Sequence, residues 1–183
     1  MADGLATPQE VLDFWFGVDP KKWYVKDETF DASIRTRFLP TYEAAAAGKL
    51  ADWEATPESA LALVIVLDQF PRNMFRGSPR TFATDTVALA VAKRALARDF
   101  DRQLELARRN FLYLPFMHSE HLADQLRCIE LSRKAGRAES AKWAEHHADI
   151  IRRFGRFPHR NRLLGRATTP EEQVFLDQGG FSP

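Results

Sequence analysis

The sequence lacks the features that would place it outside a cell or across a membrane. It contains one cysteine, Cys128, so no internal disulfide is possible, and a lone cysteine in a helical pattern is more often a core residue than a nucleophile. The longest apolar run covers residues 61–67, far short of the roughly 20 residues of a membrane-spanning helix. A basic and then apolar leader is also missing at the N-terminus. We therefore expect a cytoplasmic protein with no membrane partner.

A strong excess of charge of either sign is missing too, because the formal net charge is +1 at pH 7. This balance argues against nucleic acid as a partner. The basic residues are unevenly distributed, however. Between Asp149 and Glu171 the chain contains six arginines and one histidine but no acidic residue. Charge is therefore concentrated in one stretch near the C-terminus.

Linkers rich in Pro, Gly or Ser are absent, and 45% of the residues are hydrophobic. A chain of 183 residues can bury roughly 70% of its unfolded surface around one core. The composition therefore predicts a globular protein with a single domain over residues 1–183.

The helix starts are marked by Thr-Pro pairs at Thr7, Thr56 and Thr169, each followed by an acidic residue. The Thr hydroxyl can accept free amides of the first turn, proline suits the first helical position, and a carboxylate favours the positive end of the helix dipole. Glu10 and Glu172 complete capping boxes at the first and third starts. The predicted helices span residues 8–16, 28–47, 57–69, 85–98, 102–113, 120–135, 138–154 and 170–177.

The β-branched segment 62–67 is the nearest competitor to a helix, but it lacks a strand partner and follows a helix start, so a buried helix is favoured. Gly48 and Gly155 are expected to end helices in the left-handed conformation. Helix pairs joined by short turns predict an all-α, single-domain array of antiparallel helix pairs. This array would be tetratricopeptide-like, although no repeat of about 34 residues can be recognised.

The first polar motif follows the most apolar predicted helix. Asp68 shares a helical face with core residues and is expected to point inward. Pro71 removes a main-chain hydrogen bond, so the helix is expected to kink or end near Gln69. Arg72 is then within reach of Asp68, and Asn73 adds a further polar group. The motif forms either one wall of a ligand pocket or a polar corner whose charges satisfy each other.

The second motif is an aromatic break between two helices at residues 111–117, followed by His118, Ser119, Glu120 and His121. Ser119 is expected to cap the next helix. A histidine beside a carboxylate can act as a general base, because its ordinary pKa of about 6.5 is close to neutral pH. The spacing lacks the His-Glu-x-x-His pattern of a zinc protease, and no metal or cofactor is predicted.

The third motif is the loop that follows the predicted helix 138–154. Pro158 prevents the helix from continuing, and Arg156, Arg160 and Arg166 then fall within a short stretch with His159. Guanidinium groups bind carboxylate or phosphate in bidentate fashion, so the loop is a candidate anion site. Alternatively, these arginines neutralise buried acids. The candidate acids are Asp68, Asp85 and Glu120.

Several sequence blocks occur in a specific order. They are Phe-Trp-Phe-Gly at 14–17, the stretch 61–77 with Asp-Gln-Phe-Pro-Arg-Asn, Phe-Ala-Thr-Asp at 82–85, Pro-Phe-Met-His-Ser-Glu at 115–120 and the stretch 154–166. In this order they resemble the bacterial family known as domain of unknown function 924, nearly from end to end. The resemblance implies an all-helical fold related to tetratricopeptide-like arrays. It implies no established reaction and no catalytic residues.

The first functional hypothesis is a protein that binds a small anionic or polar molecule, with an enzyme as one possibility. His118 or His159 would be the acid or base, Glu120 or Asp68 would orient it, and arginines would hold developing negative charge. The predicted ligand-binding residues are Asp68, Arg72, Asn73, Asp85, His118, Glu120, Arg156, His159, Arg160 and Arg166.

The second hypothesis is a helical module that binds a protein or peptide on a concave surface. Exposed aromatic residues would then matter more than the polar motifs. The candidates for such exposed residues are Trp15, Trp23 and Trp53.

Overall fold

The computed structural model describes residues 4–23 and 25–181. All regular secondary structure in these two ranges is helical, which confirms the predicted all-α class. The α-helices are α1 (Pro8–Phe16), α2 (Glu28–Ala46), α3 (Pro57–Val64), α4 (Phe70–Met74), α5 (Asp85–Ala97), α6 (Phe100–Gln103), α7 (Leu106–His118), α8 (Leu122–Lys134), α9 (Ala138–Phe154) and α10 (Pro170–Asp177). A π-helical segment, Ile65–Gln69, joins α3 to α4, and short 3₁₀ turns lie at Pro20–Trp23, Ala51–Ala55, Pro79–Phe82 and Pro158–Arg160. The tetratricopeptide-like arrangement stays a prediction.

The chain forms two compact units. The first unit comprises Met1–Arg76 and Arg80–Pro115, and the second comprises Gly77–Pro79 and Phe116–Pro183. The prediction of a single domain stays a prediction. Within the described residues, no helix is both long enough and apolar enough to cross a membrane.

The predicted helix starts are confirmed at Thr7, Thr56 and Thr169, each of which caps its helix through its hydroxyl. Glu10 and Glu172 complete capping boxes as predicted. A third box forms at Thr56, where the serine hydroxyl three residues later takes the place of the carboxylate. Local side-chain chemistry therefore determines where these helices begin.

The core of the first unit is built around α3 and the π-helical segment. Residues 60–70 are all buried, which confirms a buried helix rather than a strand. Helices α1, α2 and α5 pack around this segment. The ring of Phe70 lies 4.8 Å from Phe38 and 5.8 Å from Trp15, centroid to centroid. This aromatic cluster fixes the end of the segment that carries the Asp68 motif.

Of the two outcomes expected near Gln69, a kink or an end of the helix, the end is not found, because the helical path continues to Met74. A π-type hydrogen bond from the Phe70 amide to the Ile65 carbonyl widens the helix just before Pro71. The Leu67 carbonyl, which loses its helical donor to the proline, accepts a 2.6 Å hydrogen bond from the buried Thr84 hydroxyl. Proline is therefore accommodated without ending the helix.

The predicted helix 102–113 is also placed wrongly, because two helices occupy this region. Helix α6 ends at Gln103, and the extended backbone of Leu104 separates it from α7. Helix α7 then runs through Pro115 to His118, so the expected aromatic break at residues 111–117 is absent. Phe111, Leu112 and Phe116 are buried in this helix. Burial of these apolar side chains stabilises the turns around the proline.

The second unit contains a helical hairpin in which α8 and α9 pack along each other. Gly155 ends α9 with a left-handed φ of 68°, and Gly48 follows α2 with a φ of 72°, as predicted. The predicted N-cap at Ser119 is wrong, because α8 begins two residues later with His121 at the cap. The Ser119 hydroxyl instead donates to Asp124 at 2.8 Å and accepts from the His121 amide at 3.2 Å.

Ile150, Ile151 and Phe157 form a buried cluster in this unit, and Phe154, Phe175 and Phe181 pack against it. Helix α10 packs against the 3₁₀ turn Pro158–Arg160. The loop that carries the predicted arginines is therefore fixed on both sides, by α9 before it and by α10 after it.

Candidate functional site

The Asp68 motif forms an ion-pair network inside the first unit. Asp68 is fully buried and accepts a 2.5 Å hydrogen bond from the side-chain amide of Gln69. Arg72 lies 3.6 Å from the Asp68 carboxylate and binds both carboxylate oxygens of Asp85, at 3.0 and 3.2 Å. Burial opposes the charge of Arg72, but the two aspartates outweigh it and raise the pKa of Arg72. The expected pairing of Asp68 with Arg72 is confirmed.

Asn73 belongs to a second polar group in the first unit. Its side-chain amide donates to Asp31 at 2.7 Å, and Arg76 binds the same carboxylate at 2.6 and 3.3 Å. Asp31 was not predicted from the sequence. It lies in the first turn of α2, where an acidic residue is already explained by the helix dipole. Its pairing with residues more than 40 positions away left no local signal.

Glu120 is held by the arginine loop of the second unit. Arg166 binds its two oxygens at 2.7 and 3.0 Å, and the Phe157 amide donates to it at 2.8 Å. Burial would raise the pKa of Glu120, but the hydrogen bonds from Arg166 and Phe157 together with the nearby arginine charges lower it overall. Of the arginine–acid pairs expected for this loop, the one between Arg166 and Glu120 is therefore found.

Arg156 has a partner that the sequence did not suggest. It binds both carboxylate oxygens of Glu172, at 2.6 and 2.9 Å. Glu172 is only 2% exposed and also accepts hydrogen bonds from the Asn161 side chain and the Thr169 amide. The hydrogen bond from Arg156 is the largest cause that lowers the pKa of Glu172. The capping box predicted the position of Glu172 but not this ion pair.

Arg160 lies beside the histidines of the second unit. It is 7% exposed, donates to the main-chain carbonyl of His118 at 2.9 Å, and places its guanidinium 4.7 Å from the ring centre of Phe157. The neighbouring His159 ring lies 5.6 Å from the same phenyl ring. His118, His159 and Arg160, predicted from separate motifs, are therefore brought to one region.

His147 belongs to this region as well, although the sequence did not single it out. It is buried, and its Nδ1 lies 2.8 Å from the Trp143 carbonyl. Since a carbonyl oxygen can only accept, Nδ1 carries the hydrogen and Nε2 of the neutral ring keeps a lone pair. The signal was hidden because a histidine on the apolar face of α9 is indistinguishable from an ordinary core residue in the sequence.

The pKa values of His147, which is buried, and of His159, which is half-buried, both lie well below physiological pH, so both imidazoles are neutral there. Burial is the largest cause that lowers the pKa of His159 to about 3, and the Arg160 charge lowers it further. Burial likewise lowers the pKa of His147 to about 4. Within the described part of the chain, the Nδ1 atom of His159 is buried and has no hydrogen-bond partner. A buried polar atom in this state normally meets a water molecule or a ligand.

The ten predicted residues thus fall in both units. Asp68, Arg72, Asn73 and Asp85 lie in the first unit, and the other six lie in the second. Among residues 4–23 and 25–181, no three His, Cys, Asp or Glu side chains are arranged to hold a metal ion.

A groove of about 530 Å³ lies elsewhere in the second unit, between α8 and α9. Two of its lining residues, Leu126 and Ile129, are apolar, and the others are charged. The charged lining residues are Glu130, Arg133, Lys134, Glu145, Asp149 and Arg152. The groove therefore contains none of the predicted ligand-binding residues.

Fold and site together define an all-helical protein with internal arginine–carboxylate pairs and an imidazole-lined region in its second unit. The chain belongs to the bacterial family of proteins of unknown function DUF924, whose sequence profile matches residues 11–180. It is similar to a solved structure, that of the protein of unknown function ATU0120 from Agrobacterium tumefaciens. The two are 44% identical, with a TM-score of 0.91 over 94% of this chain and 97% of that one. No match is found among curated proteins.

Proposed function

We propose that the protein binds a small polar or anionic molecule at the imidazole site, which we define as His147, His159, Phe157 and Arg160 in the second unit. The observation that carries this proposal is the buried Nδ1 atom of His159 without a hydrogen-bond partner among the described residues. Leaving a buried polar atom without a hydrogen bond costs about 1–3 kcal/mol of folding stability. If residue 159 had only a structural role, an apolar ring would therefore be favoured there. A ligand that bonds to this nitrogen explains why a histidine stands there.

The surroundings of His159 suit a small ligand of this kind. Phe157 supplies an apolar wall, and Arg160 supplies a positive charge beside the imidazole. Sites for small molecules combine apolar walls with a few polar groups that fix orientation. The other arginines of the loop are less suited, because Arg156 and Arg166 are each bound in bidentate fashion by a carboxylate.

The pKa values favour binding over proton transfer as the role of these histidines. An effective general base has a pKa near the working pH. The pKa of His159 is lowered to about 3 and that of His147 to about 4, so both are weak bases in this state. The imidazoles are therefore proposed to orient a ligand by hydrogen bonds, and an enzymatic step is not part of the proposal.

A thermal-shift screen of anionic and polar metabolites tests this function, with three proteins measured side by side. They are the wild type, His159→Phe and His121→Phe; the last carries the same change at an exposed histidine of the second unit. A ligand at a hundred times its dissociation constant stabilises a protein by about 2.7 kcal/mol. We expect compounds that stabilise the wild type and His121→Phe but not His159→Phe. Equal stabilisation of all three proteins, or no stabilising compound, would contradict the proposal.

A second candidate function is peptide binding in the groove between α8 and α9. The observation that favours it is the exposure of apolar side chains on these helices, with Leu126 46% and Trp143 51% exposed. The tryptophans named from the sequence are less suited, because Trp15 is fully buried and Trp23 and Trp53 are half-buried. Trp15 packs into the aromatic core of the first unit, so the prediction of an exposed side chain there is wrong.

Panning a peptide library against the wild type tests this second function. Selected peptides are expected to lose binding to Leu126→Glu, which places a charge on an apolar lining residue of the groove, and to keep it with Val174→Glu on α10. Val174 is 50% exposed and is not among the groove residues, which makes it a matched control. Peptides that bind Leu126→Glu as well as the wild type would exclude the groove.

We also propose a cytoplasmic location for the protein. The support is Cys128, the single cysteine, which is buried and whose pKa is raised by burial to about 12. A thiol of this kind suits a reducing compartment, where disulfides are rare. Fractionation of bacterial cells that express the tagged chain tests the location, and recovery in the periplasmic fraction would contradict it.

A further inference from the structure

Phe181 places its ring against the two imidazoles of the proposed site. Its ring centre lies 4.5 Å from that of His147 and 5.4 Å from that of His159, with edge-to-face geometry in both cases. Phe157 contacts the same two rings, each at 5.6 Å. The four rings therefore form a closed cycle in which each phenyl ring contacts both imidazoles.

The two phenyl rings are held in different ways. Phe157 is 1% exposed and belongs to the buried cluster with Ile150 and Ile151. Phe181 is only half-buried and follows Gly179 and Gly180, beyond the end of α10. Gly179 has a φ of 76°, a conformation that other residues rarely adopt. Phe157 is therefore a fixed wall, whereas Phe181 is attached through a glycine turn.

We propose, as a deepening of the proposed ligand site, that its ligand carries a planar aromatic ring and that Phe181 occupies the place of that ring in the ligand-free protein. A planar ring between the imidazoles regains the edge-to-face contacts that Phe181 makes here. Unlike Phe181, a ligand can also carry a polar atom for the Nδ1 atom of His159, which has no hydrogen-bond partner in the described part of the chain.

The charge beside the ring position restricts the class of ligand further. The Arg160 guanidinium lies 4.7 Å from the ring centre of Phe157, on the same wall of the site. A guanidinium favours a carboxylate or a similar planar anion. The class of ligand is therefore an aromatic ring with an anionic substituent, and benzoate is its simplest probe.

Isothermal titration of benzoate and of cyclohexanecarboxylate tests this inference. The two acids carry the same charge and have similar size, but only benzoate has a planar ring. The proteins are the wild type, Phe181→Ala, Phe181→Leu and, as a control on the exposed face of α10, Val174→Ala. Circular dichroism checks that each variant is folded, and Phe181→Leu keeps an apolar side chain if the alanine variant is too unstable.

We expect Phe181→Ala to bind benzoate about tenfold more tightly than the wild type, because the ligand no longer competes with the internal ring. Phe181→Leu should also bind it more tightly, Val174→Ala should match the wild type, and cyclohexanecarboxylate should bind more weakly throughout. Equal benzoate affinity in the wild type and both Phe181 variants, or equal affinity for the two acids, would overturn the inference. If, in those cases, an acid or a screened compound binds the wild type but not His159→Phe, the ligand site is still supported. If no compound binds at all, both proposals are contradicted.

Discussion

Glu120 and Glu172 hold the arginine loop of the second unit through bidentate ion pairs. Glu120 binds Arg166 and the Phe157 amide, and Glu172 binds Arg156, Asn161 and Thr169. Arginines in such pairs match the carboxylate geometry with both nitrogens and keep the loop in one conformation. Two of the three predicted loop arginines therefore hold the fold together around the site.

Glu172→Gln is expected to lower the free energy of unfolding by about 2 kcal/mol, because it leaves Arg156 without its buried counter-charge and replaces one of the two oxygens that accept from Arg156, Asn161 and Thr169 by a donor. Urea denaturation measures the change. Glu171→Gln is the matched control, since its side chain is 63% exposed and its pair with Arg153 is worth less than about 1 kcal/mol. Equal losses in the two variants would show that the Glu172 network contributes no more to the free energy of unfolding than the exposed pair of Glu171 with Arg153.

His147 and His159 should make the stability of the protein depend on pH below neutrality. Their pKa values fall from 6.5 in the unfolded reference to about 4 and about 3 in the folded protein. At pH values between the folded and unfolded pKa values, the unfolded chain binds more protons than the folded one. The contribution of the two histidines to the free energy of unfolding is therefore complete above pH 6.5 and decreases as the pH falls. The slope is up to about 1.4 kcal/mol per pH unit for each histidine.

Denaturation of the wild type, His159→Phe and His121→Phe at pH 7.5, 6 and 5 checks this dependence. His159→Phe should show a smaller loss of stability on acidification than the wild type, and His121→Phe should match the wild type. A slope that does not change in His159→Phe would mean that this histidine is not kept neutral by the fold.

Among the helices, the π-helical segment shows what local sequence can and cannot predict. Pro71 correctly signals a disturbed hydrogen-bond pattern, and the buried position of Asp68 follows from helical periodicity. The continuation of the helix to Met74 depends on the Thr84 hydroxyl, which comes from a different element. Since this donor lies 17 positions away, no window around the proline contains the information.

Thr84→Val tests the role of this hydroxyl at the level of the element. The variant keeps the shape of the side chain but leaves the Leu67 carbonyl without its donor, which should cost about 1–3 kcal/mol of unfolding free energy. Thr86→Val, at an exposed position of α5, should cost much less. Guanidinium denaturation compares the two, and a Thr84→Val protein as stable as Thr86→Val would show that the freed carbonyl needs no partner.

Helix starts and helix ends differ in how well they could be predicted. The starts at Thr7, Thr56 and Thr169 depend on side chains within three positions, so they could be located from the sequence. The break between α6 and α7 lies at Leu104, whose backbone is extended. Nothing in its composition distinguishes that break from a continuous helix.

Over the whole molecule, the sequence motifs identified residues that matter but not their partners. The pairs of Asn73 with Asp31 and of Arg166 with Glu120 join positions 42 and 46 residues apart. His147 was missed for the same reason, since its role depends on rings brought from residues 157 and 181. The fold class follows from local patterns, whereas the site depends on long-range packing.

The measurement that tests the central claim most directly is the unfolding free energy of His159→Phe at pH 7.5, compared with the wild type. A phenyl ring keeps the ring contacts of His159 with Phe157 and Phe181 and removes the buried nitrogen that has no hydrogen-bond partner within residues 4–23 and 25–181. If the histidine is present for a ligand, the variant is at least as stable as the wild type. If it is less stable by more than about 1 kcal/mol, His159 serves the fold and the proposed ligand site is contradicted.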